Sequence, residues 1–265
     1  MIDLKFNAAG QDVIVAATSK SWIWLACAAQ DIRLRYRGSV LGPFWITIST
    51  LILISIMGVV YSKVLRIDLQ TYLPYLTIGL IFWQFISTVM NEGCHTFSGV
   101  HSIIQQAPLP LSLHAFRVVT RNVIVLGHTF VLVPLVLFIY DFKVSVDMLM
   151  VIPAFILILI NGLWVTILVG MICARFRDMP SVVANIVQIM FFVTPIFWSP
   201  SALGEYKYLV ELNPFFAVIN LIRAPLLGQQ PESSSWIILI AITILGCLVT
   251  FVFFAKFRHR IAFWI

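Results

Sequence analysis

Charge is what this chain has least of. Only 11% of its 265 residues are Asp, Glu, Lys or Arg, whereas 61% are hydrophobic. A soluble domain carries about 25% charged residues, and 265 residues cannot hide this much apolar surface behind so thin a polar coat. Other absences narrow the chemistry. No Gly-x-x-x-x-Gly-Lys-Ser/Thr sequence occurs, so the chain has no phosphate cradle for ATP. Its 4 cysteines, Cys27, Cys94, Cys173 and Cys247, have no metal-ligand spacing, and none falls in an expected outside loop; neither a metal site nor a disulfide framework is predicted. His95, His101, His114 and His259 lie near expected inside loops without zinc spacing, and no Ser/His/Asp or paired-carboxylate arrangement supports catalysis. No charged residue sits near the middle of an apolar run, where coupled transporters keep their ion-carrying groups. His128, inside the third run, has no acidic partner; it reads as a packing or hydrogen-bonding residue rather than a proton relay. The first 37 residues are too charged and broken for the apolar core of a cleavable signal peptide.

What is present is a set of long uncharged runs, at 38–62, 69–91, 122–140, 148–174, 179–204 and 233–255. A hydrocarbon core ~30 Å thick needs about 20 apolar residues, and backbone amides in lipid must pair within their own segment. The expected fold is therefore all-α: a polytopic membrane protein with six transmembrane helices, the fifth over 179–200. Residues 1–37 form an N-terminal segment, 38–255 one membrane domain and 256–265 a basic tail. With both termini inside, Lys5, Lys20, Arg33, Arg35, Arg37, Arg117, Arg121, Arg175, Arg177, Lys256, Arg258 and Arg260 are internal, against Lys63, Arg66, Lys143, Lys207 and Arg223 outside. Loops rich in Lys and Arg stay cytoplasmic, so this orientation is favoured. The net charge of +6 is an orientation signal and gives no reason to invoke nucleic acid.

Residues 1–10 read as a polar lead-in. From about Asp12 to Arg37 the pattern is that of an imperfect amphipathic helix: Trp22, Leu25, Ala29, Ile32 and Tyr36 share a face, Lys20, Asp31 and Arg35 lie opposite, and Trp24 breaks the pattern. Two readings stand side by side, an interfacial helix on the inner leaflet and a basic anchor for the first span. Pro43 sits where a helix start tolerates proline. Pro108-Leu109-Pro110 must interrupt a helix in the long inside connection, and Pro134 predicts a kink in the third span. Gly162, Thr166, Gly170 and Ala174 recur at four-residue intervals, which suits close helix packing; contacts within the chain are favoured over a dimer seam. The segment 201–235 is too apolar for a simple loop and too short in each part to span, so it is expected to hold short interfacial or re-entrant helices on the outside.

The spans carry uncharged amides and many rings. Asn185, Gln188 and Phe192 lie at i, i+3 and i+7 on one face of the fifth span, and Gln84 is an amide in the second. Amides are costly against lipid, so they should face protein or a wet path. Phe44, Trp45, Phe82, Trp83 and Trp198 add aromatic faces, which with neutral donors and acceptors suit a polyhydroxylated solute. For each ring, the interfacial aromatic belt and plain packing remain competing explanations.

The stretch Asp31-Ile32-Arg33-Leu34-Arg35-Tyr36-Arg37-Gly38-Ser39-Val40-Leu41-Gly42-Pro43-Phe44-Trp45 resembles the approach to the first membrane helix in ABC-2 type permeases, most closely those exporting O-antigen and related polysaccharides, the Wzm-like proteins. The inside turn Ala174-Arg175-Phe176-Arg177-Asp178, Asn213-Pro214 and the basic tail continue the likeness. The resemblance implies a type V exporter-like fold in which two copies of the chain form a channel in the cell inner membrane. It implies two copies of a separate ABC ATPase that binds ATP and Mg, with no cofactor in this chain. Gln105, Gln106, Pro108, Leu109 and Pro110 would belong to the ATPase-docking element, Arg33, Arg35, Tyr36 and Arg37 to the inner mouth and interface helix, and 201–235 to the periplasmic exit. The substrate would be a lipid-linked polysaccharide. Permeases for teichoic acid or a small hydrophobic solute are the nearest alternative; an integral-membrane lipid-modifying enzyme or an ATPase-recruiting scaffold belongs to other classes.

Overall fold

A computed structural model describes residues 2–42, 44–142 and 145–265, without the side chains of Ile2, Asp3, Leu4 and Ala202. Pro43 and Lys143, used above as helix opener and outside charge, lie outside the described residues. Among the described residues every regular element is helical. The chain is an all-α polytopic membrane protein with five helices long and apolar enough to cross a bilayer.

The N-terminal segment differs from the expected single helix. α1 (Ile2–Ala17) includes the supposed lead-in, and α2 (Ser21–Arg35) follows after a short turn. α1 packs on the last long helix and α2 on the third span. Trp24, which broke the amphipathic pattern, donates its indole N–H to the Ala16 carbonyl at 2.9 Å and stacks on Phe116 at 5.5 Å. Its ring thus joins α1, α2 and the bundle.

α3 (Phe44–Leu65) and α4 (Leu69–Gly93) form a hairpin. Arg66 closes α3 in the left-handed region (φ 55°), with the Ile67 N–H returning to the Ser62 carbonyl at 3.0 Å. α4 is the central post, with 67% of its apolar window buried inside the chain, whereas α3 has 17% and lies at the periphery. α5 (His101–Gln106) is a short helix in the long inside connection, and the Pro108–Pro110 stretch separates it from α6 as expected. α6 (Ser112–Phe130) begins ten residues before the expected span, because its first turns, carrying Arg117 and Arg121, are amphipathic and packed. It breaks at Val131 and resumes as α7 (Leu132–Ile139). Phe130 is four residues before Pro134, whose missing N–H leaves that carbonyl without a helical donor.

α8 (Val151–Arg175) supplies the close packing. Gly162, Thr166, Gly170 and Ala174 are all buried within the chain. A Cβ added at Gly170 would stand 3.1 Å from both the Gly93 carbonyl oxygen and the Phe97 ring. The small-residue row therefore serves contacts inside one chain, where lipid-solvated helices gain most from tight van der Waals fit. α9 (Met179–Val193) has 15 residues, well short of 179–200. Pro195 forces Thr194 into an extended conformation (φ −85°, ψ 133°) and ends the helix. At 1.5 Å per residue α9 is about 22 Å long, less than a hydrocarbon core of ~30 Å.

The chain then runs through a short 3₁₀ turn, α10 (Lys207–Glu211) and α11 (Pro214–Leu226). The limbs Leu203–Glu211 and Pro214–Leu226 meet at 96°, the shape of a broken or re-entrant span, in agreement with short helices in 201–235. Asn213 caps α11 by accepting from the Phe215 N–H at 2.9 Å, with Pro214 at the first helical position. α12 (Ser233–Phe257) is the last long helix and packs on α8 and α11. The tail is not free: Arg258 pairs with Asp12 at 3.0 Å, and α13 (Ile261–Trp264) buries Ile261 completely.

Candidate functional site

The peripheral placement of α3 and α9 leaves a groove between them, floored by α4. Its larger part, of about 660 Å³, is lined by Trp45, Ser49 and Thr50 of α3, Trp83, Gln84 and Ser87 of α4, and Phe191 of α9. A second part of about 330 Å³ continues it past Asn91, Gln188 and Phe192. Trp83, Ser87 and Phe191 line both. Gln84, Ser87 and Asn91 recur at helical spacing, so α4 turns a polar stripe into the groove. Gln84 accepts from the Thr50 hydroxyl at 3.3 Å. Trp83 is held between Phe191 (5.8 Å) and Phe215 (5.6 Å).

The residues singled out in the sequence divide. Trp45, Trp83, Gln84, Gln188 and Phe192 line this groove. Asn185 is exposed on α9 beside it and is not among its lining. Phe44 is 59% exposed and sets its edge on His128 at 6.0 Å, away from the groove. Phe82 is 2% exposed and packs edge-on against Phe130, so within this chain it faces the core. Trp198 donates to the Phe192 carbonyl at 3.2 Å, at the end of the groove farthest from the termini. Gln105, Gln106 and Pro108 are exposed beside α5, with Leu109 and Pro110 half-buried. Arg33 and Arg37 project to solvent, and Tyr36 is half-buried.

Arg35 belongs to an arrangement that sequence reasoning missed. It pairs with Glu92 at the end of α4 (2.6 Å), and Glu92 also accepts from Arg121 (2.7 Å) and Asn122 (2.7 Å). Arg121 reaches Asp31 of α2 at 2.9 Å, and Arg117 holds Asp31 through two bonds of 2.8 and 2.5 Å. The network ties α2 to both the groove-bearing helix α4 and α6. Burial opposes ionisation of Asp31, but the Arg117 and then the Arg121 guanidinium outweigh it and hold its pKa below the ordinary 3.8. On sequence Asp31 and Arg35 share the polar face of the amphipathic pattern, and nothing local joins either of them to Glu92 or Arg121.

A second group was also missed. Arg223 of α11, counted above as an outside charge, is 3% exposed. Its guanidinium donates to the carbonyls of Pro195 (2.9 Å) and Ile196 (3.4 Å) and lies 3.7 Å over the Tyr75 ring. The hydroxyl of Tyr72 donates to the Phe197 carbonyl at 2.7 Å, and that of Tyr75 to the carbonyls of Pro195 and Trp198. Together they satisfy the carbonyls that the early end of α9 leaves unpaired.

The groove combines neutral polar groups with aromatic rings along a helical bundle. The profile described as ABC-2 type transporter matches residues 23–227, so the chain belongs to that family and is a transport subunit. The chain is 24% identical over 261 residues to an "O-antigen export system permease protein RfbA" of Klebsiella pneumoniae, covering 95% of this chain and 94% of that one. A second protein of that name and organism is 25% identical over 275 residues, 98% of each chain. A third, from Myxococcus xanthus, is 23% identical over 208 residues, 76% of this chain and 78% of its own.

Proposed function

We propose that the chain is the permease subunit of an exporter that moves a lipid-linked, O-antigen-like polysaccharide from the cytoplasmic to the periplasmic face of the inner membrane. The observation that carries this reading is the groove itself: the amides and hydroxyls of Ser49, Thr50, Gln84, Ser87, Asn91 and Gln188, interleaved with the rings of Trp45, Trp83, Phe191 and Phe192, offer a sugar polymer hydrogen bonds and stacking faces without a fixed charge. One chain leaves the groove open, and α3 and α9 expose long apolar faces beside it. A second copy would close it into a passage. Relatives covering nearly the whole chain carry the O-antigen export name.

Energy would come from a separate ABC ATPase, two copies per exporter, holding ATP and Mg. Its docking surface would be α5 and the Pro108–Pro110 stretch, with Arg33 and Arg37 nearby on the same side of the membrane. Purified alone, the chain should neither bind nor hydrolyse ATP, because it has no phosphate cradle. Polymer export by reconstituted vesicles should require both subunits and ATP. Robust ATP turnover by the isolated chain, or none on adding the cognate ATPase, refutes the reading.

Both termini would then be cytoplasmic. A membrane-impermeant thiol reagent applied from outside should label single cysteines placed in 63–68, 141–147 or 201–206 and spare those in 101–110, 175–178 or 258–265. Outside labelling near Pro108 would invert the orientation and remove the ATPase-docking assignment.

A further inference from the structure

We infer that Arg223, Tyr72 and Tyr75 form a latch that keeps a lid, the Phe197 ring, closed over the far end of the groove. This rests on the transport reading above and adds to it the point at which the passage is shut at rest.

The lid follows from the unwound end of α9. Residues 194–199 carry Phe197 across from α9 to α3, where its ring lies 5.4 Å from Tyr61 of α3 and 5.7 Å from Phe191 of α9. It lies 6.4 Å from Phe192 as well. Phe191 and Phe192 line the groove, so this cluster bridges the two walls that the groove separates. Nothing helical holds the bridging segment in place, since its backbone has left the ladder.

What holds it is a buried cation. Arg223 makes no salt bridge among the described residues, and its Nε has no hydrogen-bond partner among them. A guanidinium without a carboxylate is an expensive way to bond two carbonyls in an apolar surrounding. Ionisable groups at membrane depth are kept for function more often than for stability. Its charge is met by the carbonyl dipoles of the unwound segment and by the Tyr75 face, contacts that depend on that segment staying where it is. Space for it is made by Gly79 of α4: a Cβ there would overlap Nη2 and come 3.1 Å from the Ile196 carbonyl oxygen. The re-entrant helix α11, the central post α4 and the end of α9 thus meet at one guanidinium. A contact that is satisfied only in the closed arrangement favours that arrangement, and movement of α11 withdraws it.

Gly79→Ala displaces the guanidinium without removing it, Arg223→Met removes the charge at similar length, and Phe197→Ala removes the lid while leaving the latch. The full chain with its cognate ATPase is reconstituted in vesicles of phosphatidylethanolamine and phosphatidylglycerol loaded with carboxyfluorescein, and release is followed without ATP. All three variants should release the dye roughly tenfold faster than the unaltered protein, the shift given by about 1.4 kcal/mol of lost closed-state preference. A dextran-linked dye should stay inside in every case. Gly79→Ala and Arg223→Met proteins that reconstitute normally and retain the dye as the unaltered protein does overturn the latch, even if Phe197→Ala leaks. Release of the dextran dye marks general damage and also counts against it. Where Arg223→Met fails to accumulate, Gly79→Ala decides, because it keeps the charge. Failure of the unaltered complex to move polymer with ATP refutes the transport reading separately, without bearing on dye retention.

Discussion

Replacing Asp12 by alanine should lower the thermal midpoint of the detergent-solubilised protein by about 6–12 °C. Asp12 is 2% exposed at its side chain and pairs with Arg258 at 3.0 Å. It also accepts from the backbone N–H groups of Leu111 (3.1 Å) and Ser112 (3.0 Å) and from the Ser112 hydroxyl (2.7 Å). One carboxylate thus caps α6 from a hundred residues away and anchors the tail, which also donates from Arg258 to the Ala8 carbonyl. The first N–H groups of a helix lack intrahelical partners, and a negative charge there is favoured by the helix dipole. Removing one member of a buried pair costs about 3 kcal/mol at the low end of the usual range, and the low end applies here because Arg258, left uncompensated, keeps 28% of its side chain exposed. For a chain of this size each kcal/mol shifts the midpoint by about 2–4 °C. Asp12→Ala with Arg258→Ala should cost less than the sum of the two single changes, because the second removes the stranded charge. A single variant that melts within about 1 °C of the unaltered protein, the change expected of a neutral surface substitution, shows that these bonds do not hold the inner face together.

The second large effect concerns the groove wall. Gln188→Leu makes the α9 face apolar, and Phe192→Ala removes a stacking surface. Both side chains line the groove and neither is buried in the core, so insertion and abundance should be unchanged. Surface polymer should fall roughly tenfold in each, the equivalent of about 1.4 kcal/mol of lost interaction along the path. Asn185→Leu should have a smaller effect, since Asn185 stands beside the groove. The measurement is polymer at the cell surface against permease in the membrane. Normal export at normal abundance in both variants would show that this face packs against protein and the passage lies elsewhere. Loss of abundance in step with export would make both residues structural.

Much of the architecture was legible because the bilayer is a simple solvent. Runs of about 20 uncharged residues admit few solutions when each amide must pair within its own segment. Composition therefore determined the all-helical fold, the order of the spans and the short helices of 201–235. Proline placed two interruptions, one at Pro108–Pro110 and one before Pro134. Spacing on α9 brought Gln188 and Phe192 to one face, and both reach the groove. The same spacing argument failed for Asn185, because the lining residues Ala184, Gln188, Phe191 and Phe192 follow an i, i+4, i+7, i+8 face and Asn185 stands one position off it.

Tertiary structure decided what local pattern could not. Phe82 and Trp83 are adjacent in sequence, yet one is core and the other groove wall, since a helix turns about 100° per residue. Asp12, Asp31 and Glu92 gain their partners only where α1, α2, α4 and α6 come together. Arg223 looked like a loop cation and is buried, because the carbonyls it satisfies are exposed only when Pro195 stops α9 short. Periodicity and residue type report how one segment meets lipid or water. Which carboxylate meets which guanidinium depends on residues tens of positions apart, and only the packed bundle brings them within bonding distance.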